Sequence, residues 1–158
     1  MQNSSNLQKQ IKAEKAKREL ARRTYLDYCK YVYEDYLVSW HIELLADCLE
    51  RVDRGEIRFL FVEMPPRHSK TINVSQLFPS WALGRDDTKQ FIISSYSGDL
   101  AVDSGRETRD LIRSQKYANV FPNVRLAPDS KAKGKWNVEK LVNDKWVKAK
   151  ESWPGEHT

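Results

Sequence analysis

Apolar residues recur at helical spacing through the first third of the chain. Residues 7–23 are rich in good helix formers and contain neither Gly nor Pro. Their apolar positions, Leu7, Ile11, Ala16 and Leu20, make only a thin stripe, which predicts an exposed helix. Tyr25, Tyr28, Cys29, Val32 and Tyr36 then follow the i, i+3, i+4, i+7, i+11 pattern, which predicts a buried helix face over 24–38. Ile42, Leu45, Leu49 and Val52 form the inner face of a third helix over 41–54, with Gly55 where a C-terminal cap belongs.

Beyond Gly55 the period changes. Ile57–Glu63 is a short apolar run of the kind a buried parallel strand shows. Residues 64–70 read as a loop, and 71–84 as a helix kinked at Pro79. A turn over 86–89 leads to a second apolar strand at 90–95. A long helix over 98–114 follows, with Leu100, Ala101, Leu111 and Ile112 inward. Strand, loop, helix, strand, helix is how an α/β domain with a parallel sheet begins. After Phe121-Pro122 the pattern fades. The last 28 residues hold seven lysines and three tryptophans without sustained periodicity.

Composition narrows the classes. A chain of 158 residues is one domain by length, and 40% hydrophobic residues with five Trp, seven Tyr and five Phe suffice for one packed core. No run approaches the roughly 18 apolar residues of a membrane span, and the N-terminus has no secretory pattern, so no membrane contact and a cytosol-like compartment are expected. Cys29 and Cys48 have no Cys-x-x-Cys spacing and read as thiols, not as a disulfide framework or a zinc site. The net charge of +5 lies wholly in residues 1–30, which hold eight Lys/Arg against three Asp/Glu. A basic arm on a neutral body points to an anionic partner, nucleic acid or an acidic protein; the competing reading is a solvated helix.

The segment that carries chemistry is Glu63-Met-Pro-Pro-Arg-His-Ser-Lys-Thr71, between the first strand and a helix. Backbone N–H groups and the positive end of a helix dipole meet a phosphate in such a place. A lysine neutralises the β and γ phosphates and the adjacent hydroxyl holds Mg²⁺, roles that Lys70 and Thr71 fit. Met64 and Ser69 stand where the general P-loop has Gly, and Ser takes a left-handed backbone at a cost of about 1–2 kcal/mol. Pro65 and Pro66 have no N–H, so the donors are Arg67, His68, Ser69, Lys70 and Thr71.

With VEMPPRHSKT, LFPSWALGR, FIISSYSGDLA, GRETRDLI and YANVFPNVRLAPDS in this order, the chain from about Trp40 to Trp136 resembles the large terminase subunit of tailed bacteriophages. That family is the motor ATPase that packages viral DNA. Its Pro-Pro-Arg-His-Gly-Lys-Ser loop matches Pro65–His68, with Ser69 in place of Gly. The resemblance implies an α/β fold in which N-terminal helices are followed by the first strands of a P-loop NTPase parallel sheet, incomplete. It implies ATP and Mg²⁺ as cofactors, Lys70 and Thr71 on the triphosphate and metal, Arg67 at the γ-phosphate, and Trp40 and His41 on the adenine side. It also implies double-stranded DNA, the small terminase subunit and the portal as partners, in the cytoplasm of a phage host. The domains expected are basic and aromatic helices over 1–39, the ATPase portion over 40–136 and a divergent basic tail over 137–158.

Other groups read differently. Ser94–Ser97 lies at the carboxyl end of the second strand and could flank a ligand or cap the next helix. Asp99, Asp103 and Glu107 interleave with Arg106, Arg109 and Arg113 as a charge-paired solvated face. An apolar strand ending in the Mg²⁺-binding Asp of a P-loop ATPase is not recognisable, and no nuclease domain follows, so a truncated gene product that binds ATP without turning it over is expected. The alternatives are a non-catalytic protein that binds DNA or the small terminase subunit through its basic helix, with a vestigial loop, and another P-loop enzyme such as a helicase-like ATPase.

Overall fold

A computed structural model describes residues 2–130 and 135–148. The chain is mostly helical: α1 (Gln2–Arg23), α2 (Tyr25–Val32), α3 (Trp40–Asp53), a π-helical turn (Ile72–Leu77) running into α4 (Phe78–Arg85), α5 (Gly98–Arg113) and α6 (Gln115–Val120). Three short strands follow, β1 (Val124–Leu126), β2 (Val138–Val142) and β3 (Lys145–Lys148). They form one antiparallel sheet in the order β1-β2-β3.

The parallel sheet is therefore corrected. Residues 57–64 are extended, with Leu60, Val62 and Met64 turned to the core. The alternate positions Phe59 and Phe61 are 84% and 90% exposed. In 90–95, Ile92 is likewise 90% exposed. Among the described residues no backbone hydrogen bond joins these two segments to each other or to any strand. An apolar run alone does not make a strand: it also needs a laterally placed partner, and the described chain supplies none. The sheet forms instead in the region where the sequence pattern faded. Asn143 and Asp144 both take positive φ (49° and 59°), as a two-residue hairpin turn requires, and pair Val142 with Lys145. Residues 149–158 of the expected tail lie outside the described residues.

The core sits between α1, α2, α3 and α4. Tyr25, Tyr28, Phe78, Trp81, Tyr117 and Phe121 pack ring against ring, with centroids 5.2–6.5 Å apart. Gly84 is needed here, since a Cβ on it would lie 2.4 Å from the Phe121 ring. At the end of α3 the Gly55 N–H bonds to Val52 O and the Glu56 N–H to Arg51 O, with Gly55 at φ 76°. This is the left-handed glycine cap that the sequence predicts. The buried helix read over 24–38 stops at Val32, and Tyr36 reaches the core from the irregular segment that follows. Helix α5 buries Ser104, Thr108 and Ile112, whereas Leu100, expected inward, is exposed.

Pro79 explains the junction between the π-helical turn and α4. Lacking an N–H, it leaves Ser75 O without its helical donor, and Thr108 Oγ1 of α5 donates there instead at 3.1 Å. One turn earlier the ladder widens, so that the Phe78 N–H bonds to Asn73 O, five residues back.

Candidate functional site

The loop before this helix is shaped by its backbone. Arg67 and Ser69 both have positive φ, 64° and 59°. Two left-handed residues with His68 between them fold 66–69 into a tight turn, and the helix opens at Lys70. Among the described residues, the N–H groups of 67–71 donate to no backbone carbonyl. Pro66, Arg67, His68, Ser69 and Thr71 are exposed, so these donors belong to an open stretch of backbone at a helix start.

The side chains of the loop add positive charge. Lys70 is half-buried and curls back so that Nζ donates to Met64 O at 3.5 Å. With Val62, Glu63, Met64 and Pro65 it lines an open groove of about 470 Å³. Glu63 is thus the carboxylate beside Lys70. Glu139 lies elsewhere, buried in β2 and paired with Arg125 at 3.2 Å. Arg67 is exposed, and Thr71 is exposed on the first turn. His68 Nδ1 donates to Pro66 O at 2.9 Å, which in the neutral ring leaves Nε2 as the acceptor.

The residues expected on the adenine side lie next to this loop. The rings of His41 and His68 are 5.9 Å apart, and those of Trp40 and His41 are 5.6 Å apart. Trp40 is the first residue of α3 and is 75% exposed, so it does not serve as a core residue. Ser39 Oγ lies 3.1 Å from His41 Nδ1. The structure therefore brings Trp40, His41, His68 and the loop to one side of the molecule.

No family model, curated protein or solved structure matches this chain.

Asn73 was not singled out from sequence and belongs to the same region. It is 1% exposed, one turn into the helix. Its Nδ2 donates to Ser69 O at 2.9 Å, and its backbone N–H donates to the same oxygen at 3.0 Å. Tyr36 OH donates to Asn73 Oδ1, and Tyr25 OH donates to Asn73 O at 2.8 Å. An Asn one turn into an amphipathic helix carries no sequence signal of such a role.

The remaining groups do not converge on the loop. Ser94–Tyr96 are exposed, and Ser97 precedes α5 without a side-chain cap bond. On α5, Arg106 pairs with Asp103 at 3.2 Å and Arg113 with Asp110 at 3.8 Å, as a charge-paired helix does. Among the described residues, no three His, Cys, Asp or Glu side chains gather as a metal site. No described helix is long and apolar enough to cross a membrane.

Proposed function

We propose that the loop 64–71 binds a nucleoside triphosphate with Mg²⁺, ATP by the terminase resemblance, and that the chain is the nucleotide-binding portion of a phage DNA-packaging motor. The observation that carries this reading is the row of unclaimed N–H groups from Arg67 to Thr71 at a helix start. Phosphate oxygens are the ligands such a row fits. Lys70 Nζ adds a mobile cation, because a single 3.5 Å bond to a carbonyl is readily exchanged for a phosphate. Thr71 offers an exposed hydroxyl for Mg²⁺, and Arg67 an exposed guanidinium for the γ-phosphate. Trp40, His41 and His68 offer the ring faces a purine stacks on. This reading needs the loop and not a parallel sheet behind it.

Calorimetric titration with ATP–Mg²⁺ tests it. Saturable binding that is lost in Lys70→Ala, at unchanged circular dichroism, is the expected result. Equal affinity in the two proteins ends the assignment.

A second reading rests on α1 and concerns the partner. Residues 5–13 of this helix are exposed all round. Arg18, Arg22 and Arg23 are matched by Glu14 and Glu19, at 2.8–3.1 Å. Lys9, Lys12 and Lys15 have no acidic partner among the described residues, and their spacing of three runs them along one flank. That flank fits a phosphate backbone, which makes double-stranded DNA the partner; the small terminase subunit and the portal remain the protein partners that the resemblance implies. DNA affinity should then fall steeply with salt, with a log–log slope reduced by about 0.9 for each of these lysines removed. An unchanged slope in the triple alanine variant places the contact elsewhere.

A further inference from the structure

We propose that Asn73 is the positioning residue of the loop, the group that aims the Lys70 N–H into the mouth of the site. The inference rests on the phosphate-binding reading above and deepens it. Ser69 is left-handed, a conformation that costs an L-residue free energy and persists where its neighbours hold it. Asn73 holds the Ser69 carbonyl twice, through its backbone N–H at 3.0 Å and Nδ2 at 2.9 Å. A trans peptide is planar, with C=O and N–H on opposite sides. Pulling Ser69 O down the helix therefore turns the Lys70 N–H the other way, out towards the groove.

The amide of Asn73 has one workable orientation. A carbonyl oxygen only accepts, so the side-chain nitrogen must face Ser69 O and Oδ1 must face the other way. Tyr36 OH meets Oδ1 there. Tyr25 OH anchors the main-chain oxygen of the same residue at 2.8 Å, from α2. Asn73 is thus clamped by two tyrosines from outside its own helix, and what it passes on is the direction of a single peptide plane. A buried polar side chain whose nitrogen and oxygen both have partners does more than fill space.

Three variants of the full chain test this. Asn73→Ala removes the Nδ2 bond. Tyr36→Phe removes one of the two bonds to Oδ1 that orient the amide, leaving Tyr25 OH 3.3 Å from the same oxygen. Asn73→Asp substitutes a group that donates to Ser69 O when protonated and repels it when ionised. The groups facing this position are Tyr25, Tyr36 and Cys29, all of whose pKa values burial pushes up, so none titrates between pH 5.5 and 8. The readouts are the Kd for ATP–Mg²⁺ relative to wild type at each pH, and amide chemical shifts of residues 68–71 without ligand. The expected results are roughly tenfold weaker binding in Asn73→Ala and a smaller loss in Tyr36→Phe. In Asn73→Asp the loss should be large at pH 8 and shrink towards pH 5.5. The amide chemical shifts of 68–71 should move in Asn73→Ala and, at pH 8, in Asn73→Asp.

Should Asn73→Ala fail to fold, Tyr36→Phe and the pH profile of Asn73→Asp decide the matter. Wild-type affinity in Tyr36→Phe together with a pH-independent ratio for Asn73→Asp overturns the proposal. If the wild type binds no ATP–Mg²⁺, the phosphate reading fails on its own. The ligand-free shifts then still show whether Asn73 holds the peptide, and unchanged shifts overturn it.

Discussion

The indole N–H of Trp81 donates to the carbonyl of Ala21 at 3.1 Å, and both residues are 0% exposed. This bond ties α4 to the last turn of α1. The ring itself fills the centre of the aromatic cluster, with Tyr25 at 5.5 Å and the Arg85 guanidinium 4.5 Å above it. Replacing Trp81 by Ala should therefore cost about 3–5 kcal/mol, through the cavity and the orphaned Ala21 oxygen. Phe59 is as apolar but exposed, and Phe59→Ser should stay within about 0.5 kcal/mol of wild type. Urea unfolding of the two variants checks both. Comparable losses would mean that Phe59 is covered in solution.

Two buried tyrosines offer a sharper contrast. Tyr28 OH donates to Ser80 Oγ at 2.7 Å, because Ser80 spends its own proton on Leu77 O. Tyr117 OH is equally buried and has no hydrogen-bond partner among the described residues. Tyr28→Phe should cost about 0.5–1.5 kcal/mol, whereas Tyr117→Phe should be neutral or stabilising. Thermal melts of the pair give the signs directly. A clear loss in Tyr117→Phe would place a hydrogen-bond partner, such as a buried water, on that hydroxyl.

What the sequence revealed follows how local each determinant is. Helix α3 and its Gly55 cap depend on residues within two turns of each other, and both were readable. The end of α2 was not. Tyr36 continues the aromatic spacing, yet its position is set by Asn73, far along the chain. The runs at 57–63 and 90–95 read as buried strands from their apolar content, but that content cannot say whether a partner strand exists. The hairpin of β2 and β3 did have a signal, Asn143-Asp144 between Leu141-Val142 and Trp146-Val147. The lysine-rich composition around it obscured that signal. Its core-facing anchors are unusual as well: Glu139 is buried because Arg125 neutralises it, and Arg125 also covers Trp146 at 3.9 Å. In the loop, residue types alone singled out Arg67–Thr71 as candidate donors. Asn73 escaped because its role lies in the carbonyl it holds.

Cys29 makes stability depend on pH. Burial pushes its thiol up to about 12, against an ordinary value of about 8.5. Between those values the folded protein keeps a proton that the unfolded chain has released. The unfolded state therefore binds fewer protons, and stability must fall as pH rises. Between pH 8.5 and 10 the loss should be about 1–2 kcal/mol and should be absent in Cys29→Ala. Above pH 10 both proteins should lose stability together, since Tyr25, Tyr28 and Tyr117 are also pushed up by burial. Unfolding curves at half-unit steps of pH separate the two windows. Parallel slopes below pH 10 would show that Cys29 ionises normally.

Ser69→Gly tests the backbone of the loop. At φ 59° the serine holds a conformation that costs an L-residue about 1–2 kcal/mol. Glycine removes that strain but adds about 0.5–1 kcal/mol of entropy to the unfolded chain. The strain term is the larger, so the variant should be as stable as wild type or more stable, by up to about 1 kcal/mol. No side-chain contact opposes the change, because what Asn73 holds is the Ser69 carbonyl, which glycine retains. For the same reason ATP–Mg²⁺ affinity should be unchanged or tighter, with the Lys70 N–H still aimed outward. Paired measurements of unfolding free energy and Kd give the answer. A gain in stability with a loss of affinity would mean that the serine hydroxyl itself contacts the ligand. A loss of stability would mean that the left-handed turn carries no strain for glycine to relieve.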